Sequence, residues 1–240
     1  ACGSHSTIPE VRQYGANPEL PRPNEELIPT IDIAPAVHWA DGATPRPANG
    51  LAVQAFATGL DHPRWVRVLP NGDVLVAETN APKRPDEGKG IKAKFTGKAM
   101  KKAGAATPTA NRITLLRDAD GDGVAETKSA FAQGLNSPFG MELVGDTLYV
   151  ANTDGIVKFD YADGATSVSG SGTHVADLPA GQRNHHWTKN VIASRDGSRL
   201  YATVGSNSNA AENGMEEEVD RAAILEVDPA TGATRVFASG

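Results

Sequence analysis

Two adjacent histidines are the residues of this chain best suited to chemistry. His185 and His186 stand between Asn184 and Trp187, directly before a run that predicts a strand. An imidazole titrates near neutral pH and can take the proton of a hydroxyl as a general base. The alternative is that one histidine only hydrogen-bonds loop backbone while Trp187 packs beneath it. Two neighbouring histidines without a third ligand are weak evidence for a metal site.

A second candidate is a loop of alternating carboxylates. Asp118, Asp120 and Asp122 are separated by single small residues, including glycine, as in a calcium-binding loop. The glutamate expected at the twelfth loop position is replaced by Ser129, and Glu126 comes three residues earlier. The sequence predicts either a structural calcium site or a simple polar hairpin turn.

A short phrase recurs along the chain, at residues 55–60, 130–135 and 236–240. Self-similarity of this kind is typical of repeat architectures, in which each unit buries its apolar face against a neighbour. Between the copies, short apolar runs bounded by Gly, Asp, Asn and Pro predict strands in three groups of four. The predicted strands are 65–69, 73–78, 112–117 and 126–131; 139–144, 146–151, 155–160 and 173–178; and 188–194, 199–204, 222–228 and 233–238.

Four antiparallel strands make one blade of a β-propeller, so we predict an all-β β-propeller fold. The blades cover about residues 60–131, 135–178 and 181–238. Residues 51–57 carry the repeated phrase without a blade of their own and are predicted to be a closing strand. Propellers need about four to eight blades, so either the natural protein continues past Gly240 or two such chains share one ring. We favour a longer natural protein.

Two segments differ from the predicted propeller domain of residues 51–240. Residues 1–50 are rich in proline and predict an extended tether. Residues 80–111 form a basic insertion, in which 91–103 are compatible with a short helix.

Strand direction decides which loops share a rim of the propeller. Loops that enter an inner strand lie on the same rim as loops between the second and third strands of a blade. This rim collects the polar residues His185, His186, Asn136 and Asn207, whereas the opposite rim collects plain turns. Function concentrates on loops held by such a scaffold, so we expect the active face here.

Composition narrows the partners. The net charge of -6 and the pI near 5.5 argue against nucleic acid as a partner. No apolar run approaches the length of a membrane span. The single cysteine, Cys2, stands in Ala-Cys-Gly before a polar stretch, which resembles the processing site of a bacterial lipoprotein. We therefore expect a periplasmic or cell-envelope protein, with a lipid anchor at Cys2 or, alternatively, an ordinary thiol there.

Three motifs resemble the L-sorbosone dehydrogenase family, which is related to soluble aldose dehydrogenases that use pyrroloquinoline quinone. The motifs are Gly134-Leu-Asn-Ser-Pro-Phe-Gly-Met141, Tyr149-Val-Ala-Asn-Thr-Asp-Gly155 and Asn184-His-His-Trp-Thr-Lys-Asn190. The resemblance extends from about residue 51 to the end. It implies a six-bladed propeller with the quinone across the channel mouth, of which this chain would be the N-terminal half.

The resemblance also implies roles for single residues. His186 matches the family's base, which takes a proton while hydride passes to the quinone, and calcium polarises that cofactor. Asn136, His185, Trp187 and Asn207 are the candidate cofactor contacts. Most other ligands of the quinone and calcium are expected beyond residue 240. Trp187-Thr188-Lys189 departs from the small residues and arginine usual in aldose dehydrogenases.

The sequence therefore predicts part of a quinone-dependent dehydrogenase that oxidises an aldose or a sorbosone-like aldehyde and passes electrons to an external acceptor. The 240 residues alone are expected to be inactive. The alternatives are a non-catalytic propeller that binds carbohydrate or a protein partner, and a metal-dependent lactonase. The lactonase ranks lower because the predicted active rim offers only Asp61 and Asp154 as carboxylates.

Overall fold

The computed structural model describes residues 7–19, 33–40, 42–83, 90–209, 211 and 213–240. Cys2, the predicted lipid-attachment residue, lies outside the described residues. Backbone contacts divide the chain into two compact units, Ala1–His38 with Gly90–Ala106, and Trp39–Lys89 with Thr107–Gly240. No helix within the described residues is long and apolar enough to cross a bilayer.

The smaller unit contains the predicted helix. Helix α1 spans Gly90–Lys102, which confirms the helix expected over 91–103. Lys101 and Lys102 occupy its last turn, where cations favour the helix dipole. The Lys102 carbonyl accepts a hydrogen bond from the Ala36 amide at 2.9 Å, and a short 3-10 turn covers Glu10–Arg12.

The larger unit is a stack of antiparallel sheets, and it confirms the predicted β-propeller fold. Its three sheets hold four strands each, and chain order is spatial order in every sheet. The strands are β1 Pro63–Val68, β2 Val74–Glu78, β3 Arg112–Arg117 and β4 Thr127–Ala132; β5 Met141–Val144, β6 Thr147–Ala151, β7 Gly155–Asp160 and β8 Thr173–Asp177; and β9 Val191–Ala193, β10 Leu200–Val204, β11 Ala223–Val227 and β12 Thr234–Ser239.

The three blades repeat one another in register as well as in strand order. Each has a register shift between its third and fourth strands, at Ile113/Thr114, Ile156/Val157 and Ile224/Leu225. A bulge of this kind bends the outer strand and strengthens the local twist. Repetition of the irregularity supports one blade plan copied three times.

The innermost strands β1, β5 and β9 contact one another in order along the chain. Gly140, just before β5, makes this approach possible, because a Cβ there would lie 2.5 Å from the Val191 amide nitrogen. Buried apolar side chains fill the space between successive blades. One cluster, including Phe131 and Leu148, joins the first and second blades, and another, including Ile156 and Leu200, joins the second and third.

The blade at each end of the row has an exposed apolar face. Val66 and Val68 of the first blade are 54% and 60% exposed, and Ile192 and Phe237 of the third are 56% and 54% exposed. A groove of about 510 Å³ runs over the third blade's face. None of the predicted site residues lines it.

Two predicted strands differ from the structure. Residues 51–57 form no ladder with any described strand, because each of the three described sheets is already made of four other strands. The segment is instead held in part by the Phe56 carbonyl, which accepts from the Ala125 amide at 2.8 Å. The strand expected over 188–194 is reduced to β9, since the Thr203 side chain takes the Asn190 amide at 3.0 Å.

Candidate functional site

The structure brings the loops of the predicted active rim into direct contact. The amide of His185 donates to the Asn207 carbonyl, and the amide of Asn184 donates to Asn207 Oδ1, both at 3.0 Å. The Asn184 side-chain amide donates to Thr153 Oγ1 at 2.9 Å. These bonds tie the loop before β9 to the β10–β11 and β6–β7 loops, as the alternation of strand direction predicts.

His186 is exposed on this rim and its ring orientation is fixed. Its Nδ1 lies 3.0 Å from the Ser206 carbonyl oxygen and 2.9 Å from Ser206 Oγ, whose own proton goes to the Ser208 carbonyl at 2.8 Å. Both atoms near Nδ1 therefore accept, so Nδ1 carries the proton in the neutral ring. Nε2 then holds the free lone pair, which is the tautomer that a general base needs.

Gly205 makes this orientation possible. A Cβ at Gly205 would lie 2.5 Å from the His186 Cβ and 3.1 Å from its carbonyl oxygen. Contacts that short are sterically forbidden unless the histidine loop moves. The glycine that ends β10 is therefore a positioning residue for His186.

Trp187 is 7% exposed, so its ring packs between blades. The Arg64 guanidinium carbon lies over this ring, 5.5 Å from its centroid. The Phe139 ring is perpendicular to it, with the two ring centroids 6.5 Å apart. Phe139 in turn lies 5.1 Å from Trp65, which is 37% exposed. We call Trp65, Phe139 and Trp187 the aromatic shelf; Trp65 lies in β1, whereas Phe139 and Trp187 precede β5 and β9.

The other predicted cofactor residues differ in exposure. Asn136 is exposed, and its side-chain amide donates to Asp154 at 2.7 Å. Asn207 is 3% exposed, and its Nδ2 has no hydrogen-bond partner among the described residues. The amide of Asn207 donates to Glu218 at 2.6 Å, and this bond, with two from Ser208, lowers the pKa of the Glu218 carboxyl.

The sequence did not identify Lys189 as a candidate site residue. It is 0% exposed, and its Nζ lacks a hydrogen-bond partner within the part of the chain that the structure describes. Burial, and secondarily the charge of Arg221, lower the pKa of its ammonium to about 8. The one signal in the sequence was its position two residues after Trp187, because residues two apart in an extended segment share a face.

A charged cluster anchors the same rim at the first blade. Buried Glu78 accepts from Arg112 Nε at 3.0 Å and Nη2 at 2.8 Å, and also from the Thr114 hydroxyl and the Asp61 amide. Burial raises the pKa of Glu78, but these bonds outweigh it and the net shift is downward. His62 Nδ1 lies 2.6 Å from the Thr79 carbonyl. This cluster holds the loop that enters β1.

The carboxylate loop lies between β3 and β4, on the opposite rim. Asp118, Asp120, Asp122 and Glu126 each place a ligand atom within 4.8 Å of the others. Glu126, which does not stand at the twelfth loop position, joins the group because its carboxylate accepts a hydrogen bond from the Ala119 amide at 2.7 Å. The hard oxygen donors suit calcium. Occupation of this loop by calcium stays a prediction.

A family model described as a domain of unknown function (DUF7133) matches residues 61–240. None of the curated proteins compared with the sequence matches it. Among solved structures, the chain is similar to the holo form of the PQQ domain of pyranose dehydrogenase from Coprinopsis cinerea. That likeness has a TM-score of 0.54 at 20% identity and covers 80% of this chain and 43% of that one.

The chain is also similar to two structures of a family AA12 carbohydrate-active enzyme from Trichoderma reesei. The iodide structure has a TM-score of 0.52 at 16% identity and covers 85% of this chain and 43% of that one. The calcium structure has a TM-score of 0.51 at 18% identity, with 78% and 40% covered. At these identities the common feature is the fold, and the chain spans less than half the length of each structure.

Proposed function

The chain belongs to the DUF7133 family, and we propose that it forms part of a quinone-dependent sugar dehydrogenase. Its substrate would be an aldose or a sorbosone-like aldehyde, its cofactors pyrroloquinoline quinone and calcium, and its oxidant an external electron acceptor. The observation that carries the proposal is the fixed tautomer of His186, with Nδ1 bonded to Ser206. Activity belongs to the whole protein, since the chain spans 43% of the pyranose dehydrogenase domain.

His186 serves as the base in this proposal. Nε2 takes the proton of the hydroxyl on the carbon to be oxidised, while that carbon loses its hydrogen as hydride and forms a carbon–oxygen double bond. The quinone, when bound, supplies the hydride acceptor. An aldose then gives a lactone, and a hydrated aldehyde gives a carboxylic acid. The Ser206 carbonyl stabilises the imidazolium that forms, because it accepts from Nδ1 in both protonation states.

The rim offers donors that suit an oxygen-rich planar cofactor. The buried Nδ2 of Asn207 lacks an acceptor among the described residues, and an unpaired buried donor is costly. A quinone or carboxylate oxygen would satisfy it. Asn136 is exposed on another loop of the same rim, and the backbone amide of His185 donates to the Asn207 carbonyl. These residues would hold the cofactor edge.

The aromatic shelf supports a ring-shaped ligand. Trp65 keeps 37% of its surface exposed, so part of its face can stack on a planar ring or on the apolar face of a sugar. Trp187 is buried, and its part is to support Arg64 and Phe139 rather than to present its face. We therefore propose that Trp187 supports the residues around the cofactor and does not contact the cofactor itself.

A non-catalytic carbohydrate-binding propeller is the second candidate, and the exposed Trp65 favours it equally. A metal-dependent lactonase is less compatible with the rim. Asp61 pairs with Arg112 at 2.7 Å, and Asp154 accepts from Asn136 at 2.7 Å. Within the described residues, the carboxylate cluster that could hold a metal lies on the other rim. Attachment to a bacterial envelope through Cys2 remains part of the proposal.

Reconstitution of the whole protein with the quinone and calcium tests the function. We expect dye-linked oxidation of aldoses or sorbosone-like aldehydes, and we expect His186→Gln to remove it while quinone binding, followed by absorbance, persists. His174→Gln is the matched control, because His174 is an exposed histidine of β8 paired with Asp177 at 2.8 Å. Full activity in the His186 variant would remove the base assignment. Carbohydrate binding without any quinone binding would favour the second candidate.

A further inference from the structure

Lys189 is an ammonium group enclosed by protein without a partner. The residue is 0% exposed, and Nζ makes no hydrogen bond to any described residue. Its backbone is held between blades, because its carbonyl accepts from the Gly140 amide at 3.0 Å. Trp187 and Val191, which alternate with it along the chain, are also buried. The side chain is therefore directed into the packed layer between the second and third blades.

Asn207 carries a second buried donor without a partner in the part of the chain described. Asn207 Nδ2 is buried and lacks an acceptor within the described residues, although Asn207 Oδ1 takes the Asn184 amide at 3.0 Å. Asn184 also accepts from Arg221 Nη1 at 3.1 Å. Arg221 lies close enough to Lys189 to disfavour its charge. Asn184 thus links Asn207 to Arg221, the cation whose charge disfavours that of Lys189.

The carboxylate of Glu218, which binds the Asn207 loop, already has its own hydrogen-bond donors. Glu218 is engaged by the Asn207 amide at 2.6 Å, the Ser208 amide at 3.1 Å and the Ser208 hydroxyl at 2.9 Å. Arg221 itself donates to two neutral oxygens, those of Asn184 and of the Ala180 carbonyl. No ion pair of Lys189 occurs in the described part of the chain. Burial lowers the pKa of Arg221 and the charges of Glu218 and Glu217 act in the opposite direction, whereas Lys189 has no acceptor among the described residues.

Burial of an unpaired charge is strongly unfavourable, whereas a charge with a bound counter-ion and hydrogen bonds is tolerated. We propose that Lys189, Asn207 and Arg221 form a buried binding site for one negatively charged group. Its chemistry is that of a small monovalent anion, such as formate or chloride, or of one carboxylate of a ligand at the rim. The carboxylate source rests on the proposed function, and the free anion does not.

The measurement follows Lys189 itself, in the chain labelled with 13C-lysine. The Lys189 resonance is identified by its loss in Lys189→Met. With methanesulfonate as the only anion we expect it to titrate well below the other lysines. Saturating formate should raise its pKa by about one unit, a tenfold change in proton affinity. Lys128→Met is the matched control, because Lys128 is exposed and donates to the carbonyls of Thr58 and Gly59 at 3.1 Å.

Thermal unfolding gives a second measurement that needs no isotope label. Formate or chloride, exchanged for methanesulfonate at constant ionic strength, should raise the melting temperature of the native chain and of Lys128→Met but not of Lys189→Met. A buried water would satisfy the same donors without any anion-specific effect. Equal melting temperatures and an unchanged Lys189 titration in all three anions would therefore overturn the site.

The two sources are separated by adding the quinone in methanesulfonate. A shift of the Lys189 resonance with quinone but not with formate assigns the site to a ligand carboxylate. If formate shifts the resonance but the quinone absorbance does not change when the protein is added, the anion site stands. The protein then does not bind the proposed cofactor. No shift with either compound overturns the inference, whatever the outcome of the activity assay.

Discussion

Nδ1 of His186 lies 3.0 Å from the carbonyl oxygen of Ser206, and this contact sets the tautomer of the ring. A backbone carbonyl accepts hydrogen bonds and does not donate them, so the proton of the neutral imidazole stays on Nδ1. The free lone pair is then on Nε2. The rim loop thus prepares the ring for proton abstraction before any substrate binds.

We predict that 15N spectra of the neutral His186 imidazole show a protonated Nδ1 and an unprotonated Nε2. The assignment comes from His186→Gln, which removes the resonance. Ser206→Ala should preserve the pattern, because the carbonyl remains and only the Oγ contact at 2.9 Å is lost. A protonated Nε2 in the native protein would contradict the role of His186 as base.

Gly205→Ala should displace His186. The added Cβ would lie 2.5 Å from the His186 Cβ, and overpacking of this kind costs about 1–3 kcal/mol of folding free energy. We expect lower dehydrogenase activity and a changed His186 spectrum in a folded protein. Gly97→Ala in α1 is the control, since nothing lies within 4 Å of a Cβ there and alanine favours helix. An unchanged His186 spectrum in Gly205→Ala would show that the loop tolerates the methyl group.

The blade plan could be predicted from the sequence because it depends on local signals. Short apolar runs end at Gly, Asp, Asn and Pro, and these turn residues fix strand ends to within a few positions. Strand alternation then assigns each loop to a rim, which placed His186 and Asn207 together. Contacts between these loops needed no long-range information beyond the direction of each strand.

Other features depend on packing that no local pattern encodes. Lysine is almost never fully buried, so the enclosure of Lys189 follows only from the approach of two blades at Gly140. Glu126 joins the carboxylate loop because the chain folds back on Ala119, which a fixed twelve-residue spacing does not describe. Residues 51–57 resemble a strand in sequence, but a strand also needs an edge to pair with.

Glu78→Gln should destabilise the larger unit. The Glu78 side chain is 1% exposed and bonds Arg112 at 2.8 Å, so loss of its charge leaves the guanidinium half-paired, at a cost of about 3 kcal/mol. Urea unfolding measures this. Glu226→Gln is the control, because its partners Arg235 at 2.7 Å and Arg199 at 3.8 Å have side chains 63% and 42% exposed, and ion pairs with such exposed partners contribute under about 1 kcal/mol.

The same variant should change the acid limb of stability. The pKa of Glu78 is lowered in the folded protein, so its contribution is present above the ordinary value of 4.5 and is lost as pH falls below it. Native protein should therefore lose stability more steeply than Glu78→Gln over that range. Parallel curves for the two proteins would show that the Arg112 pair does not govern acid unfolding.

Calcium should stabilise the β3–β4 loop. If Asp118, Asp120, Asp122 and Glu126 bind the ion, calcium at about a hundredfold above its dissociation constant adds about 2.7 kcal/mol, and a chelator removes it. Asp118→Asn keeps an oxygen for only one of the two backbone amides that Asp118 accepts, from Gly121 and Gly123, and it should weaken the calcium effect, as should Glu126→Gln. Asp196→Asn is the control, since Asp196 caps another turn through Ser194 and Ser198. If neither calcium nor the chelator changes the melting temperature, the loop is a polar turn that does not bind calcium.

Lys189 should make the protein more stable as pH rises through the alkaline range. Its pKa is about 8 in the folded chain against an ordinary value of 10.5, so the unfolded chain binds the additional proton between these values. The penalty for its charge is complete below about pH 8 and disappears towards 10.5. That difference corresponds to on the order of 3 kcal/mol.

Lys189→Met, unfolded by urea in methanesulfonate buffer, should be more stable than the native protein at pH 7 and should lack this rise of stability with pH. Tyr149, whose pKa burial raises, opposes the trend equally in both proteins and cancels in the comparison. A native curve that parallels Lys189→Met from pH 7 to 10.5 would mean that the ammonium is already paired in solution.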